Sequence, residues 1–267
     1  MGEVLVVTSG KGGVGKTTTT ANIGTSLAMM GFKVAMMDAD IGLRNLDVAM
    51  GLENRIVYDL VDVATGRCRL RQALIRDRRF ESLSLLPAAQ TKDKTAVNPD
   101  QMKALCNELK QENDYVLVDC PAGIEQGFKN AIAGADKALV ITTPEVAAVR
   151  DADRIIGLLQ ADSELRQPML IINRIRPLMV KRGDMLDVDD VIEHLAIDLL
   201  GIVPEDESII VSTNKGEPAV LNVNSRAGDA YRNVSRRIIG EEVPFMDIEG
   251  DSSFMYRLRR LLGLRTG

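Results

Sequence analysis

Val4-Leu5-Val6-Val7-Thr8-Ser9-Gly10-Lys11-Gly12-Gly13-Val14-Gly15-Lys16-Thr17-Thr18 decides the architecture of this chain. An apolar run of strand length leads directly into a glycine-rich stretch, and a segment of helical character runs from Lys16 to Met30. Residues 10–17 satisfy G-x-x-x-x-G-K-[ST] in the strand, loop, helix context that this pattern requires. Glycines there let backbone N–H groups converge on a phosphate, and the start of the helix adds the positive end of its dipole. In such a loop Gly10, Gly12, Gly13, Val14, Gly15 and Thr18 form the cradle. Lys16 reaches the β- and γ-phosphates, and the Thr17 hydroxyl serves Mg²⁺. At average composition a chance match arises about once per hundred chains of this length.

Outward from the loop, apolar runs alternate with helix-like stretches. Strands are expected at Val4 to Thr8, Lys33 to Asp38, Ser84 to Leu86, Tyr115 to Asp119, Ala138 to Thr142, Met169 to Asn173 and Leu199 to Val203. Asn98-Pro99-Asp100-Gln101 supplies a cap, a proline at the first helical position and a reciprocal glutamine, so a helix is expected from there towards Glu112. Thr143-Pro144-Glu145 is expected to open another in the same way. Strands apolar on both faces and separated by helices predict an α/β fold, a mostly parallel sheet with helices on both faces and right-handed crossovers. Ligands of such sheets bind beyond the carboxyl ends of the strands.

Composition narrows the classes. The 267 residues are 45% hydrophobic and 27% charged, which excludes a disordered chain, a collagen-like fibre and a disulfide scaffold. Cys68, Cys106 and Cys120 form no C-x-x-C pair and read as reduced structural thiols. No apolar run reaches the ~18 residues of a membrane span, and Met1 leads straight into the first strand without a signal-like segment, so a cytoplasmic body is expected. Trp is absent and Phe and Tyr number nine, too few for a base-stacking platform.

Asp38-Ala39-Asp40 and Asp119 stand at strand carboxyl ends, facing the loop. With Lys16 and Thr17 they compose a site for phosphoryl transfer by positioning and electrostatics. Asp38, Asp119 and Thr17 are the expected Mg²⁺ residues, and Asp40 is expected to position the attacking water. Taken singly, such aspartates are often only helix caps.

Lys11 exceeds what a phosphate loop requires. The run from Lys11 to Thr18 resembles the deviant Walker A loop of the ParA/MinD group of P-loop ATPases. In that group this lysine contacts phosphate across a face-to-face dimer, a role the resemblance carries onto Lys11. Residues 38–47 and 119–125 resemble the switch I and switch II segments of the group's regulators of the cell-division site. Asn173-Arg174 and Pro204-Glu205-Asp206 resemble its adenine-contacting positions, and Glu145, Arg150, Asp151 and Asp153 lie in what resembles its partner-binding helix. The resemblance implies ATP and Mg²⁺ as cofactors and a homodimer in the ATP state. It also implies a MinC-like division inhibitor and a MinE-like ATPase activator as partners.

Composition changes after residue 240. Residues 1–240 read as one ATPase domain and 241–251 as an acidic linker. Residues 252–267 form a basic tail whose Phe254, Met255, Leu258, Leu261 and Leu262 share one helical face. Arg257, Arg259, Arg260 and Arg265 give the tail +4 and leave −9 for the rest of a chain whose net charge is −5. A basic amphipathic helix reads as a membrane-surface element, so peripheral association with the inner face of the cell membrane is expected. A helix docked on its own sheet is the bland alternative. Two other readings use the same loop. A ParA-like DNA-segregation ATPase needs broad basic surface, which the −9 body argues against. A flagellar-number regulator would carry an N-terminal extension ahead of the loop.

Overall fold

The apolar stretch ahead of the loop forms β1 (Glu3–Thr8), and the loop opens into α1 (Lys16–Met29). β2 (Val34–Asp38) is followed by the short helices α2 (Leu46–Met50), α3 (Leu60–Ala64) and α4 (Leu70–Ala73), then β3 (Ile75–Arg76) and β4 (Leu83–Leu86). Next come α5 (Pro99–Glu112), β5 (Tyr115–Asp119), α6 (Gln126–Ile132), β6 (Lys137–Thr142) and α7 (Val146–Gln160). β7 (Met169–Ile175), α8 (Pro177–Arg182), α9 (Val188–Leu195), β8 (Asp198–Pro204), α10 (Ser208–Asn214) and α11 (Arg226–Ile238) follow. The computed structural model describes residues 2–93, 95–162, 165 and 168–246. The proposed membrane residues Phe254, Met255, Leu258, Leu261 and Leu262 lie outside them, as does the part of the expected linker after 246.

The eight strands form one sheet in the order β3-β4-β2-β5-β1-β6-β7-β8. Every pairing is parallel except β3 with β4. β1 lies inside the sheet, and its alternation explains its composition. Val4 and Val6 enter the core on one face with α5, α6, α7 and α9, whereas Leu5 and Val7 enter the core on the other with α1 and α11. All seven expected strands form. β3, two residues long, was not expected, because so short a segment carries no periodicity.

Asn98 accepts the Gln101 N–H and Gln101 accepts the Asn98 N–H, each at 2.9 Å, so α5 starts where its sequence expects. α7 corrects its expectation. Pro144 precedes the helix, and its carbonyl accepts the Leu186 N–H at 3.2 Å, while the Glu145 N–H turns back to the Thr143 carbonyl at 2.8 Å. The first helical residue is therefore Val146.

The start of the expected linker is laid against the body. Arg237 donates to the carbonyls of Val243 (3.0 Å), Pro244 (2.9 Å) and, in β8, Leu200 (3.0 Å), and its guanidinium lies 4.2 Å from the centre of the Phe245 ring. Cys106 and Cys120 are free thiols pushed up to about 12 by burial, in keeping with inert structural cysteines. Among the described residues no helix is long and apolar enough to cross a membrane.

Candidate functional site

The loop between β1 and α1 owes its path to two glycines in the left-handed region, Gly13 at φ 78° and Gly15 at φ 101°. Gly15 also leaves room for β7, since a Cβ on it would stand 2.4 Å from Asn173 Nδ2. That amide donates to the Val14 carbonyl at 2.8 Å, and Asn173 Oδ1 accepts the Arg174 N–H at 3.0 Å. Asn173 thus braces the phosphate loop from the end of β7. A Cβ on Gly10 would stand 2.1 Å from the Asp151 carbonyl oxygen, so α7 crosses directly over the loop.

The two lysines differ in setting. Lys16 is only 8% exposed, and its Nζ donates to Ser9 Oγ at 2.9 Å, which in turn donates to the Lys11 carbonyl at 2.8 Å. Burial lowers the Lys16 pKa, while the charges of Asp119 and Asp40 oppose the shift. Lys11 turns outward. Its side chain is 45% exposed, with Nζ 3.5 Å from Glu145 Oε2, itself 56% exposed.

Asp38 and Asp119 face each other in register across β2 and β5, both buried. Asp119 accepts from the hydroxyls of Thr17 at 2.6 Å and Thr20 at 3.4 Å. Asp38 accepts the N–H groups of Asp40 (3.0 Å), Asn45 (3.2 Å) and Leu46 (3.1 Å), the last two at the head of α2. Burial raises both carboxyls well above the usual range, and for Asp38 the neighbouring Asp119 charge adds to the rise. Asp40 is half-buried, and its charge acts on Lys16 and Asp119. Lys16, Thr17, Asp38, Asp40 and Asp119 are therefore gathered at one place. Their donor set, two buried carboxylates and a hydroxyl short of positive charge, fits Mg²⁺, a hard cation that prefers oxygen. Among the described residues no three His, Cys, Asp or Glu side chains are grouped to hold an ion unaided. Mg²⁺ ordinarily relies on substrate phosphates and water for its remaining ligands.

Beside the loop is a cleft of about 540 Å³ lined by Gly15, Thr18, Asn173, Arg174, Pro204 and Asp206, among others. Arg174 takes φ 57°, which is unusual for a side chain other than glycine. The Asp206 carboxylate is committed to architecture. It accepts from the Ser208 N–H at 2.8 Å, the Ser225 hydroxyl at 2.9 Å and the Ala227 N–H at 3.0 Å, joining the starts of α10 and α11. Arg176 forms a two-pronged ion pair with Glu205 at the rim, and the Tyr231 hydroxyl in the cleft lies 3.2 Å from Thr19 Oγ1. Sequence reading missed Ser9, Thr20, Arg176 and Tyr231. Only Thr20, one turn beyond Thr17, left a usable signal. On α7, Arg150 and Asp153 are exposed and Asp151 half-buried, opposite the buried Val149, Ala152 and Ile156.

Residues 5–219 match the CobQ/CobB/MinD/ParA nucleotide binding domain. The chain is 58% identical over 268 residues to the septum site-determining protein MinD of Bacillus subtilis (strain 168), covering 100% of each. It is 50% identical to that of Thermotoga maritima, covering 91% of this chain and 90% of the relative. Among solved structures it is similar to the MinC:MinD cell division protein complex of Aquifex aeolicus, with a TM-score of 0.86 at 49% identity, covering 92% of this chain and 99% of that one. It is also similar to MinD of Pyrococcus horikoshii complexed with Mg-ADP, with a TM-score of 0.81 at 28% identity, covering 90% and 97%. A ParA family ATPase from Chlorobium tepidum shares the fold at 20% identity and a TM-score of 0.76. The chain is thus a P-loop ATPase with a role in cell division, and it belongs to the MinD septum site-determining branch of the CobQ/CobB/MinD/ParA family.

Proposed function

We propose that this protein is an ATPase that dimerises on ATP and then associates with the inner face of the cell membrane. There it recruits a MinC-like inhibitor of division-ring assembly, until a MinE-like activator triggers hydrolysis and release. The observation that carries this reading is the contrast between the two loop lysines: Lys16 is buried behind the phosphate loop, whereas Lys11 points outward at 45% exposure. A second phosphate-loop lysine directed away from its own site is useful when another copy faces it.

The chain's residues divide the work. Backbone N–H groups of residues 12–17 hold the phosphates, and Lys16 neutralises charge from behind. Thr17 and Asp119 hold Mg²⁺, with Asp38 supporting them from β2 while its oxygens also fix the head of α2. Bound Mg²⁺ offsets the negative charge on the phosphate oxygens. Asp40 orients the attacking water, and the cleft at Asn173, Arg174 and Pro204 accommodates the base. Glu145, Arg150, Asp151 and Asp153 present the partner surface on and beside α7. The Mg-ADP complex of the Pyrococcus relative and the MinC complex of the Aquifex relative support the cofactor and the inhibitor partner.

The tail converts nucleotide state into location. Five apolar side chains gain at most ~1.5–3 kcal/mol each on burial, and ordering about a dozen residues costs ~1 kcal/mol or more apiece. One tail therefore binds weakly. Two tails on one dimer make the second insertion intramolecular, raising avidity by roughly 10²–10⁴.

Sedimentation velocity with ATP or ADP tests the dimer. The wild-type protein should shift to a dimer with ATP only. Lys11→Ala should still bind nucleotide but stay monomeric, and a Lys11→Ala protein that dimerises with ATP would overturn the cross-subunit role.

A further inference from the structure

Among the described residues, Asp47 is the most deeply buried carboxylate with no part in the chemistry above. Its side chain is 0% exposed at the second residue of α2, and neither oxygen takes a well-formed hydrogen bond. The cation facing it is Arg44, whose Nε stands 3.0 Å from Oδ2. Burying such a pair is costly, and breaking it by removing one partner is costlier still, because the remaining charge stays in a dry place. Arg44 reaches this position from φ 48°, a left-handed conformation that disfavours side chains. Two unfavourable features therefore meet at Arg44, four residues from Asp40, the kind of local strain that clusters at functional sites.

The surrounding hydrogen bonds connect the turn that carries Arg44 to Asp40. The Leu43 and Arg44 N–H groups turn back to the Asp40 carbonyl at 3.2 and 3.3 Å, and the Asp40 N–H is held by Asp38 at 3.0 Å. Asp38 also takes the first N–H groups of α2, where Asn45 makes no side-chain cap. The backbone of Asp40 is thus fixed on one side by Asp38 and on the other by a turn whose last residue is Arg44.

We propose that Arg44 and Asp47 form a latch that holds the turn after Asp40 closed, and that they are positioning residues for hydrolysis. The inference rests on the assignment of Asp40 to the attacking water. The latch accounts for a buried acid that touches neither nucleotide nor metal in the proposed site, and for the strained backbone of its partner.

The test is steady-state ATP hydrolysis by the full chain, at protein concentrations where specific activity no longer rises, together with thermal midpoints. Asp47→Asn should lower kcat about tenfold while KM for ATP stays within about twofold, the signature of an interaction needed in the transition state and not for binding. The double variant Asp40→Ala/Asp47→Asn should be no slower than Asp40→Ala alone, because residues acting through one group are not additive. Arg44→Gly, which adopts φ 48° freely and loses only the guanidinium, should reproduce the kcat loss, and Arg44→Lys should recover part of it. If Asp47→Asn fails to fold, Arg44→Gly decides by itself. Wild-type kcat in Arg44→Gly, or a loss in Asp47→Asn that falls wholly on KM, would overturn the latch; so would an additive double variant. Asp40→Ala is the control for the underlying assignment. If it hydrolyses ATP normally, Asp40 does not serve the water and the latch falls with it; if it is inactive while Asp47→Asn and Arg44→Gly keep the wild-type kcat, only the latch falls.

Discussion

Lys16, Thr17 and the loop glycines are placed by a local pattern, so one short stretch of sequence is enough to expect them. Asn173 and Asp206 were expected from resemblance to contact the base. Both line the cleft beside the loop, and the structure adds a bond from Asn173 to the Val14 carbonyl, 159 positions away, and bonds between Asp206 and residues up to 21 positions away. No local pattern contains such partners. Asp206 yields a measurable consequence. Partial burial pushes its carboxyl up, but hydrogen bonds from Ala227, Ser208 and Ser225 outweigh that and hold it below its ordinary value. A group with a lowered folded-state pKa stabilises fully above its unfolded value and loses that contribution as pH falls through the folded value. Asp206→Asn should therefore cost about 1–2 kcal/mol near pH 7, the usual scale for a lost cap. The difference from wild type should shrink below pH about 4. Denaturant melts at pH 7 and pH 3.5 read both, and a penalty independent of pH would contradict the charged-cap role.

At the scale of elements, the strands were legible because the sheet is covered on both faces, so Val4 to Val7 or Val116 to Val118 read as continuous apolar runs. α5 was legible from its own reciprocal cap. α2 carries no such signal, because its N–H groups are satisfied by Asp38 from β2. The start of α7 was misplaced because Pro144 serves a contact with Leu186 and not the helix. The acidic segment after residue 240 was read as a linker from charge alone, and its first residues lie under Arg237, whose guanidinium burial lowers to about 10. Arg237→Ala removes three hydrogen bonds and a cation–π contact, a loss of about 2 kcal/mol. Hydrogen exchange should rise in residues 241–246 and along the start of β8 while nucleotide affinity stays unchanged. Unaltered exchange in 241–246 would show that Arg237 does not hold this segment.

For the molecule as a whole, the proposed function makes ATP binding at the sheet's carboxyl edge the switch that decides whether the tail engages a membrane. The charge division supports an anionic lipid surface as the target of residues 252–267 and opposes extensive DNA contact by the −9 remainder. The decisive measurement is co-sedimentation of the full chain with anionic liposomes in ATP, ADP or no nucleotide, for wild type and Leu261→Glu, with thermal midpoints for both. Wild type should pellet selectively with ATP, and Leu261→Glu should stay in solution under all three conditions with an unchanged midpoint. Equal pelleting with ATP and ADP would contradict this switch, and so would loss of binding in Leu261→Glu accompanied by a large fall in midpoint, the result expected of a helix docked on its own sheet.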